Sequence, residues 1–320
     1  MVQATTGHPS TAPRPVAAAD PPVRPRAGRP SLRRSTVLRL AWWVVMLAFT
    51  AFFIVPVLWV LLAPTKSDHQ LVYQSPMAFG SLGTFVRTWD AIYGFQGHEL
   101  LTWLGNSAVY SVGGLVLALA CAIPAGYGLA LTQFIGRRVL LSVTLIVMIM
   151  PPSALVLPLF LEMNLFHLLG TAWSVVLPFG FFPFGVYLCY IFFSSSIPKE
   201  LLAAARVDGA TEWDVFRRVA LPLARPIVAL VGFFAFVANW TNFFLPYVMF
   251  YNDRQYPLPV GLEYLVSSTS AFNPVAGAQS PVLRPELAMA TLVAIAPVFL
   301  VFLFAQRALV TGMLAGATKG

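Results

Sequence analysis

Apolar residues along most of this chain neither alternate nor recur at helical intervals. They run on without a break. Six stretches, 40–63, 107–131, 139–161, 173–193, 227–250 and 287–305, are long and apolar enough to cross a bilayer. The hydrocarbon core is about 30 Å thick and takes roughly 20 residues of helix. Backbone polar groups in lipid must be satisfied within the segment, so these stretches are expected to be helices. The short alternating segments of a membrane β-barrel do not occur. A seventh charge-free run, 264–283, "YLVSSTSAFNPVAGAQSPVL", is rich in Ser, Pro, Gly and Asn and reads as a loop. Pro151 and Pro152 in the third stretch and Pro183 in the fourth are expected to kink or interrupt helices. The fold class is therefore all-α integral membrane, with six transmembrane helices.

One segment breaks the pattern. "PKELLAAARVDGATEWDVFRRVALPLARP", 198–226, carries nine charged residues between two apolar spans. It parses as a helix–turn–helix. Pro198 suits a first helical turn, where its missing N–H costs nothing. The first helix runs to about Val207 through Ala203, Ala204 and Ala205, residues of high helix propensity and little bulk. Gly209, after Asp208, can take the left-handed conformation that stops a helix. Thr211 and Asp214 have the spacing of a capping box opening the second helix. Trp213, Phe216 and Ala220 fall on one face at α-helical spacing, and Pro222 is expected to end the helix. The product is a stiff wedge with a small-residue face, too charged for deep burial in lipid and suited to a groove on another protein. An interfacial helix pair lying on the bilayer is the alternative.

Composition agrees with the pattern: 58% apolar, 10% charged. The distribution of Lys and Arg then orients the chain. With the N-terminus inside, 16 of the 20 fall on the cytosolic side, and only Lys66, Arg87, Arg254 and Arg284 fall outside. Both termini and the charged wedge are then cytosolic. The net charge of +8 is mostly this topology signal, and no basic surface for nucleic acid is present apart from the tail. Residues 1–36, rich in Pro, Ala and Arg, read as a disordered cytosolic tail, and the apolar run after them as a first span rather than a cleaved signal peptide. Its "RPRAGRPSLRR" is suited to touching anionic headgroups, or serves only as a topology signal. The outer loop 64–99 is expected to hold a short surface helix within 77–94, and 253–286 is expected to form a second outer loop.

The 198–226 segment resembles the "EAA" loop of ABC-importer permeases: Glu-Ala-Ala, three residues, Gly, nine residues, Ile-x-Leu-Pro. Ala204, Ala205, Gly209, Leu221 and Pro222 match at full spacing, Val219 stands for Ile, and Ala203 stands where the family has Glu. "GNSAVYS" at 105–111 is similar to the family's domain start, and "FLFAQRALVTGMLAGATKG" resembles the end of maltose-type permeases, the carbohydrate subclass. The resemblance covers residues 37–320. It implies that the loop 196–226 is a coupling element docking on a cytosolic ABC ATPase dimer, with Glu200, Ala203, Ala204, Ala205, Asp208, Gly209, Phe216, Leu221 and Pro222 in that role. It also implies a second, usually non-identical permease, an extracytoplasmic sugar-binding protein, and contact of the C-terminal tail with the ATPase. A stiff element transfers rigid-body motion better than a loose loop. Glu200, one helical turn before Ala203, is a candidate substitute for the missing Glu. Intact ATPase binding and transport in Glu200→Ala would refute this and leave packing as sufficient.

No residues for chemistry stand out. A Walker-type phosphate loop is lacking; the look-alike "GMLAGATKG" has no Ser or Thr after Lys319. ATP and Mg are therefore expected in a partner, with no cofactor in this chain and no enzyme activity of its own. No metal ligand set is expected from scattered His8, His69, His98 and His167, or from Cys121 and Cys189, which read as buried apolar thiols. The span cores contain no Asp, Glu, Lys, Arg or His, which argues against a proton- or sodium-driven carrier. Asn239, Trp240, Thr241 and Asn242 sit mid-membrane in the fifth span. Amides for hydroxyls and an aromatic plane for a C–H face suit a sugar. Interhelical hydrogen bonding is the competing role. The leading expectation is the permease subunit of a sugar-importing ABC transporter. The alternatives are a permease for a polyol or glycerol phosphate, a self-contained secondary carrier, and a membrane enzyme or scaffold.

Overall fold

The structure, a computed structural model, describes residues 32–270, 272–275 and 282–317. Among them every regular element is helical. The chain divides into two units, Met1–Ile54 and Val55–Gly320. In the first unit the described part belongs to helix α1 (Leu32–Leu62), within which Phe49 and Phe52 each meet Phe53 edge-on or nearly so. α1 begins inside the stretch read as a tail, because Leu and Arg are good helix formers and the apolar helix extends back through them. The rest of that tail lies outside the described residues.

The second unit starts with the last residues of α1 and continues with a 3₁₀ turn, Ala63–Thr65, then α2 (Asp68–Tyr73), α3 (Leu82–Tyr93) and the long α4 (Glu99–Leu131). There follow α5 (Arg137–Ile149), α6 (Val156–Leu165), α7 (Trp173–Gly180) and α8 (Pro183–Ser195). The charged segment forms α9 (Lys199–Val207), α10 (Glu212–Asp214), a π-helical stretch Val215–Ala220 and α11 (Leu221–Leu223). The remainder is α12 (Arg225–Trp240), α13 (Phe244–Met249), α14 (Leu258–Ser268) and α15 (Arg284–Ala317). α4 is the axis of this unit, packing on α7, α8 and α12, while α12 also packs on α15.

Among the described residues four stretches, Leu38–Thr65, Phe95–Leu131, Trp173–Ser195 and Arg284–Gln306, are long and apolar enough to cross a membrane outright, and two more only as bent pairs. The expected third span is one of these pairs: α5 and the segment ending in α6 are turned 107° from each other. Proline forces residues before it out of the helical region, and Met150 (ψ 134°) and Pro151 (ψ 131°) are both extended ahead of Pro152. The fourth span is interrupted locally by a proline without being one of the bent pairs. Phe181 and Phe182 leave the helix ahead of Pro183. The fifth breaks after Trp240 and resumes at α13.

The described parts of the two segments expected to be outer loops are folded. α3 lies within the stretch expected to hold a surface helix, with Ser81 Oγ accepting the Thr84 N–H at 3.0 Å. Lys66 is buried, its ammonium donating to the carbonyls of Ser75 (2.9 Å) and Pro76 (2.8 Å). Arg284 pairs with Asp68 at 2.8 Å. Side chains of α4 grip the backbone that follows α13: Trp103 donates to the Asp253 carbonyl (2.9 Å), Asn106 to Tyr256 (3.0 Å) and Tyr110 to Gln255 (3.1 Å). The Leu258 N–H donates to Ser107 Oγ at 2.7 Å. That contact opens α14, so Tyr264–Ser268, expected as loop, is helical instead. A tertiary hydrogen bond and packing on α4 and α15 override a composition that reads as a loop. Cys189 is buried as expected. Cys121 is exposed, on the side of α4 turned away from the core.

Candidate functional site

Two places carry the candidate residues. The first is the charged segment. α9 ends in a Schellman turn: Ala210 N–H donates to the Ala205 carbonyl at 3.0 Å and Gly209 N–H to Arg206 at 3.1 Å. Gly209 has φ +84°, a conformation that costs an L side chain about 1–2 kcal/mol. Thr211 Oγ1 accepts the Asp214 N–H at 3.2 Å and donates to the Asp214 carboxylate at 2.6 Å. Only half of the expected capping box forms, because the Asp214 side chain takes the hydroxyl of Thr211 rather than its N–H. That hydrogen bond, followed by Arg218, holds the Asp214 carboxyl below its usual range. Arg206 reaches across the turn to Glu212 with two bonds, 2.7 and 3.2 Å, and its hydrogen bond lowers the Glu212 carboxyl likewise. This planar fork links α9 to α10 across the turn.

The segment has two faces. Leu202 (2% exposed), Val215, Phe216 and Ala220 point inward and join a cluster with Tyr127 of α4, Phe193 of α8 and Ile227 of α12. The Phe216 ring lies 4.9 Å from that of Tyr127, which meets Phe193 edge-on at 5.5 Å. Glu200, Ala203, Ala204, Asp208, Gly209 and Pro222 point outward and are exposed; Ala205 and Leu221 are half-buried. The expected face of Trp213, Phe216 and Ala220 is only partly realised. Trp213 is 63% exposed and Val215 takes the inward place. A π turn needs more residues per turn than an α turn, which rotates the buried stripe. The widened turn stands directly ahead of Pro222, whose ring would crowd the Arg218 carbonyl in a regular helix. Nor does Pro222 end the helix: it sits in α11, and the chain bends by 76° between Leu223 and Arg225.

Tyr127 is 6% exposed and its hydroxyl has no hydrogen-bond partner among the described residues. An unsatisfied buried hydroxyl costs about 1–3 kcal/mol. Tyr127→Phe should therefore raise the melting temperature of the purified protein or leave it unchanged. A clear fall would show that the hydroxyl is bonded after all.

The second place is a cavity of about 530 Å³ where three helix breaks converge: 150–155 between α5 and α6, 181–182 between α7 and α8, and 241–243 between α12 and α13. Broken helices leave backbone groups free to face a pathway. Asn239, Thr241 and Asn242 line it, together with Ser153 and the rings of Phe181, Phe182 and Phe243; no charged side chain does. Asn239 donates weakly to the Ser111 carbonyl (3.5 Å), and Asn242 Oδ1 accepts the Leu245 N–H (3.3 Å). Gly114 of α4 makes room for this wall: a Cβ there would stand 2.8 Å from Asn239 Nδ2. Trp240 is not in the wall. Its indole N–H donates to the Ala294 carbonyl of α15 at 3.0 Å and its ring stacks on Phe236. Consecutive helical residues are about 100° apart, so Asn239 and Trp240 face different neighbours. The aromatic planes come instead from phenylalanines beside the breaks. Pro183 marked one of those breaks in the sequence; no local signal marked Leu202 and Tyr127 as anchors of the charged segment.

The model of the family described as "Binding-protein-dependent transport system inner membrane component" matches residues 114–314. Two relatives are each 30% identical. One is the arabinooligosaccharides transport system permease protein AraQ of Halalkalibacterium halodurans, aligned over 90% of this chain and 100% of its own. The other is the diacetylchitobiose uptake system permease protein NgcG of Streptomyces coelicolor, aligned over 88% of each chain. Among solved structures, a chain of a bacterial ABC transporter involved in import of the acidic polysaccharide alginate superposes with a TM-score of 0.74. Its sequence identity is 22%, and the match covers 86% of this chain and 97% of that one.

Proposed function

This chain belongs to the family of binding-protein-dependent transport system inner membrane components, and from that premise we propose that it imports a sugar or oligosaccharide as half of a translocation pathway. It is a multi-pass inner-membrane permease subunit of an ABC importer, and such importers work with a partner permease, an ATPase and a binding protein. In our reading 37–320 is the permease domain, 1–36 a cytosolic tail and 196–226 the loop that docks on the ATPase dimer. Both termini face the cytosol, following the Lys and Arg bias. ATP and Mg belong to the ATPase. The second permease is a different chain, and the binding protein delivers sugar from outside.

One observation carries the coupling role: an exposed Glu200–Ala203–Ala204 face on an element whose other side is built into the ends of α4, α8 and α12. Cysteines placed at Ala203 and Ala204 should crosslink to the ATPase in membranes containing the whole transporter. Capture of lipid or nothing would instead support an interfacial helix pair. Purified chain that takes up solute in liposomes without an ATPase would point to a secondary carrier.

The cavity supports a neutral substrate. A phosphate or uronate entering it would meet no lining cation, which weighs against a glycerol-phosphate permease. Asn239→Leu and Asn242→Ala should each remove one hydrogen-bonding side chain, about 1 kcal/mol, and slow uptake about fivefold. The readout is ATP-dependent uptake of labelled oligosaccharide with labelled glycerol 3-phosphate alongside. Preference for the phosphate would replace the sugar reading.

A further inference from the structure

α3 has three sides. One carries Thr88 and Ile92, both buried. Ile92 joins a cluster with Leu100 and Trp103 from the first two turns of α4, Leu258 from the start of α14, and Leu287 and Ala290 from the first two turns of α15. The second side carries Gly83, Arg87 and Asp90 and is polar and exposed. The third carries Leu82, Phe85, Val86, Trp89 and Tyr93 within about 100° of helical arc. Every one of these five is exposed. The Trp89 and Tyr93 rings stack at 6.1 Å.

Both ends of α3 are tied to span ends. Before it, the Ser81 N–H donates to the Thr65 carbonyl at 2.7 Å and the Gly80 N–H to Thr65 Oγ1 at 3.0 Å. The Gly80 backbone lies so close to that carbonyl that a Cβ would not fit. Thr65 is the last residue of the first apolar stretch, Leu38–Thr65. After α3, the short connection Gly94–His98 leads into α4. Together with the Ile92 cluster, these ties set α3 level with the ends of three long apolar stretches, Leu38–Thr65, Phe95–Leu131 and Arg284–Gln306. At that level hydrocarbon gives way to headgroups.

We propose that α3 is an in-plane membrane anchor, its third side inserted at the boundary between headgroups and acyl chains. Left in water, that side would keep five large apolar side chains hydrated; lipid removes that cost. An apolar side flanked by a charged one is what an interfacial helix needs. Trp and Tyr favour this depth because their rings are apolar and their N–H or O–H can reach water. A water-soluble partner fits less well, because at the level of the span ends lipid is already the neighbour. On the orientation proposed above the leaflet is the outer one. The anchor requires only that the chain be in a membrane, and rests neither on the substrate nor on the docking of α9.

The test uses the assembled transporter in phospholipid nanodiscs, otherwise free of reactive cysteine. Nitroxides are placed singly on Leu82→Cys, Val86→Cys, Arg87→Cys and Asp90→Cys. Collisions with oxygen, which concentrates in the bilayer, should exceed those with a water-soluble nickel chelate at 82 and 86. The order should reverse at 87 and 90. Val86 and Arg87 are neighbours about 100° apart on the helix, yet the oxygen-to-nickel ratio should differ severalfold between them. Nickel access at Val86→Cys equal to that at Arg87→Cys would put the apolar side in water and overturn the proposal. A label at Val86→Cys shielded from both reagents would overturn it too, and a benzophenone on the same cysteine would then capture the second permease or the binding protein instead of lipid.

Discussion

Replacing Ala204 with arginine should leave the permease folded in the membrane and strip the ATPase from it. Ala204 is exposed on the outward side of α9, so the new side chain enters solvent in the isolated subunit and disturbs nothing behind it. On the docking proposed for α9, the same side chain would enter a contact that an alanine methyl fills in the wild type. Overpacking of this kind costs about 1–3 kcal/mol, which weakens the complex some ten- to hundredfold. ATPase co-purification and ATP-dependent uptake should fall together while membrane level and melting temperature stay put. Glu200→Ala belongs in the same experiment. Glu200 precedes Ala204 by four residues and so shares its face; a measurable loss would mean it supplies the polar contact that Ala203 lacks. Unimpaired ATPase capture by Ala204→Arg would remove α9 from the docking surface.

Leu202→Ala should abolish transport by the opposite route. Leu202 is the buried side chain of α9, held among residues of α4, α8 and α12. Truncating a buried leucine costs about 2–5 kcal/mol through lost burial and the cavity left behind. The outward alanines are untouched, so the ATPase should still bind, though to an element that yields under load. The expected signature is ATPase retained, nucleotide hydrolysis uncoupled from uptake, and a lower melting temperature. If Leu202→Ala lost the ATPase as completely as Ala204→Arg, the two faces would not have separate roles.

Much of this was written locally. Span-length apolar runs specify helices because lipid offers the backbone no other partners. Gly209 marks the end of α9 because few other residues accept its φ, and Pro152 and Pro183 mark helix breaks because proline excludes helical geometry just before it. The spacing of Ala204, Gly209, Leu221 and Pro222 was enough to point to the family. Other features depend on partners far along the chain. Trp240 looked like a sugar platform beside Asn239, and only the packing of α12 on α15 turned it to the Ala294 carbonyl. Residues 264–268 had a loop's composition, and only contact with α4 and α15 made them helical. Cys121 and Cys189 were alike in sequence, and the neighbours of α4 buried one and left the other in a groove. Local chemistry sets which backbone shapes a segment can adopt, but which way a side chain faces follows from what stands opposite it, and for this chain that was decided by the meeting of α4, α8, α12 and α15.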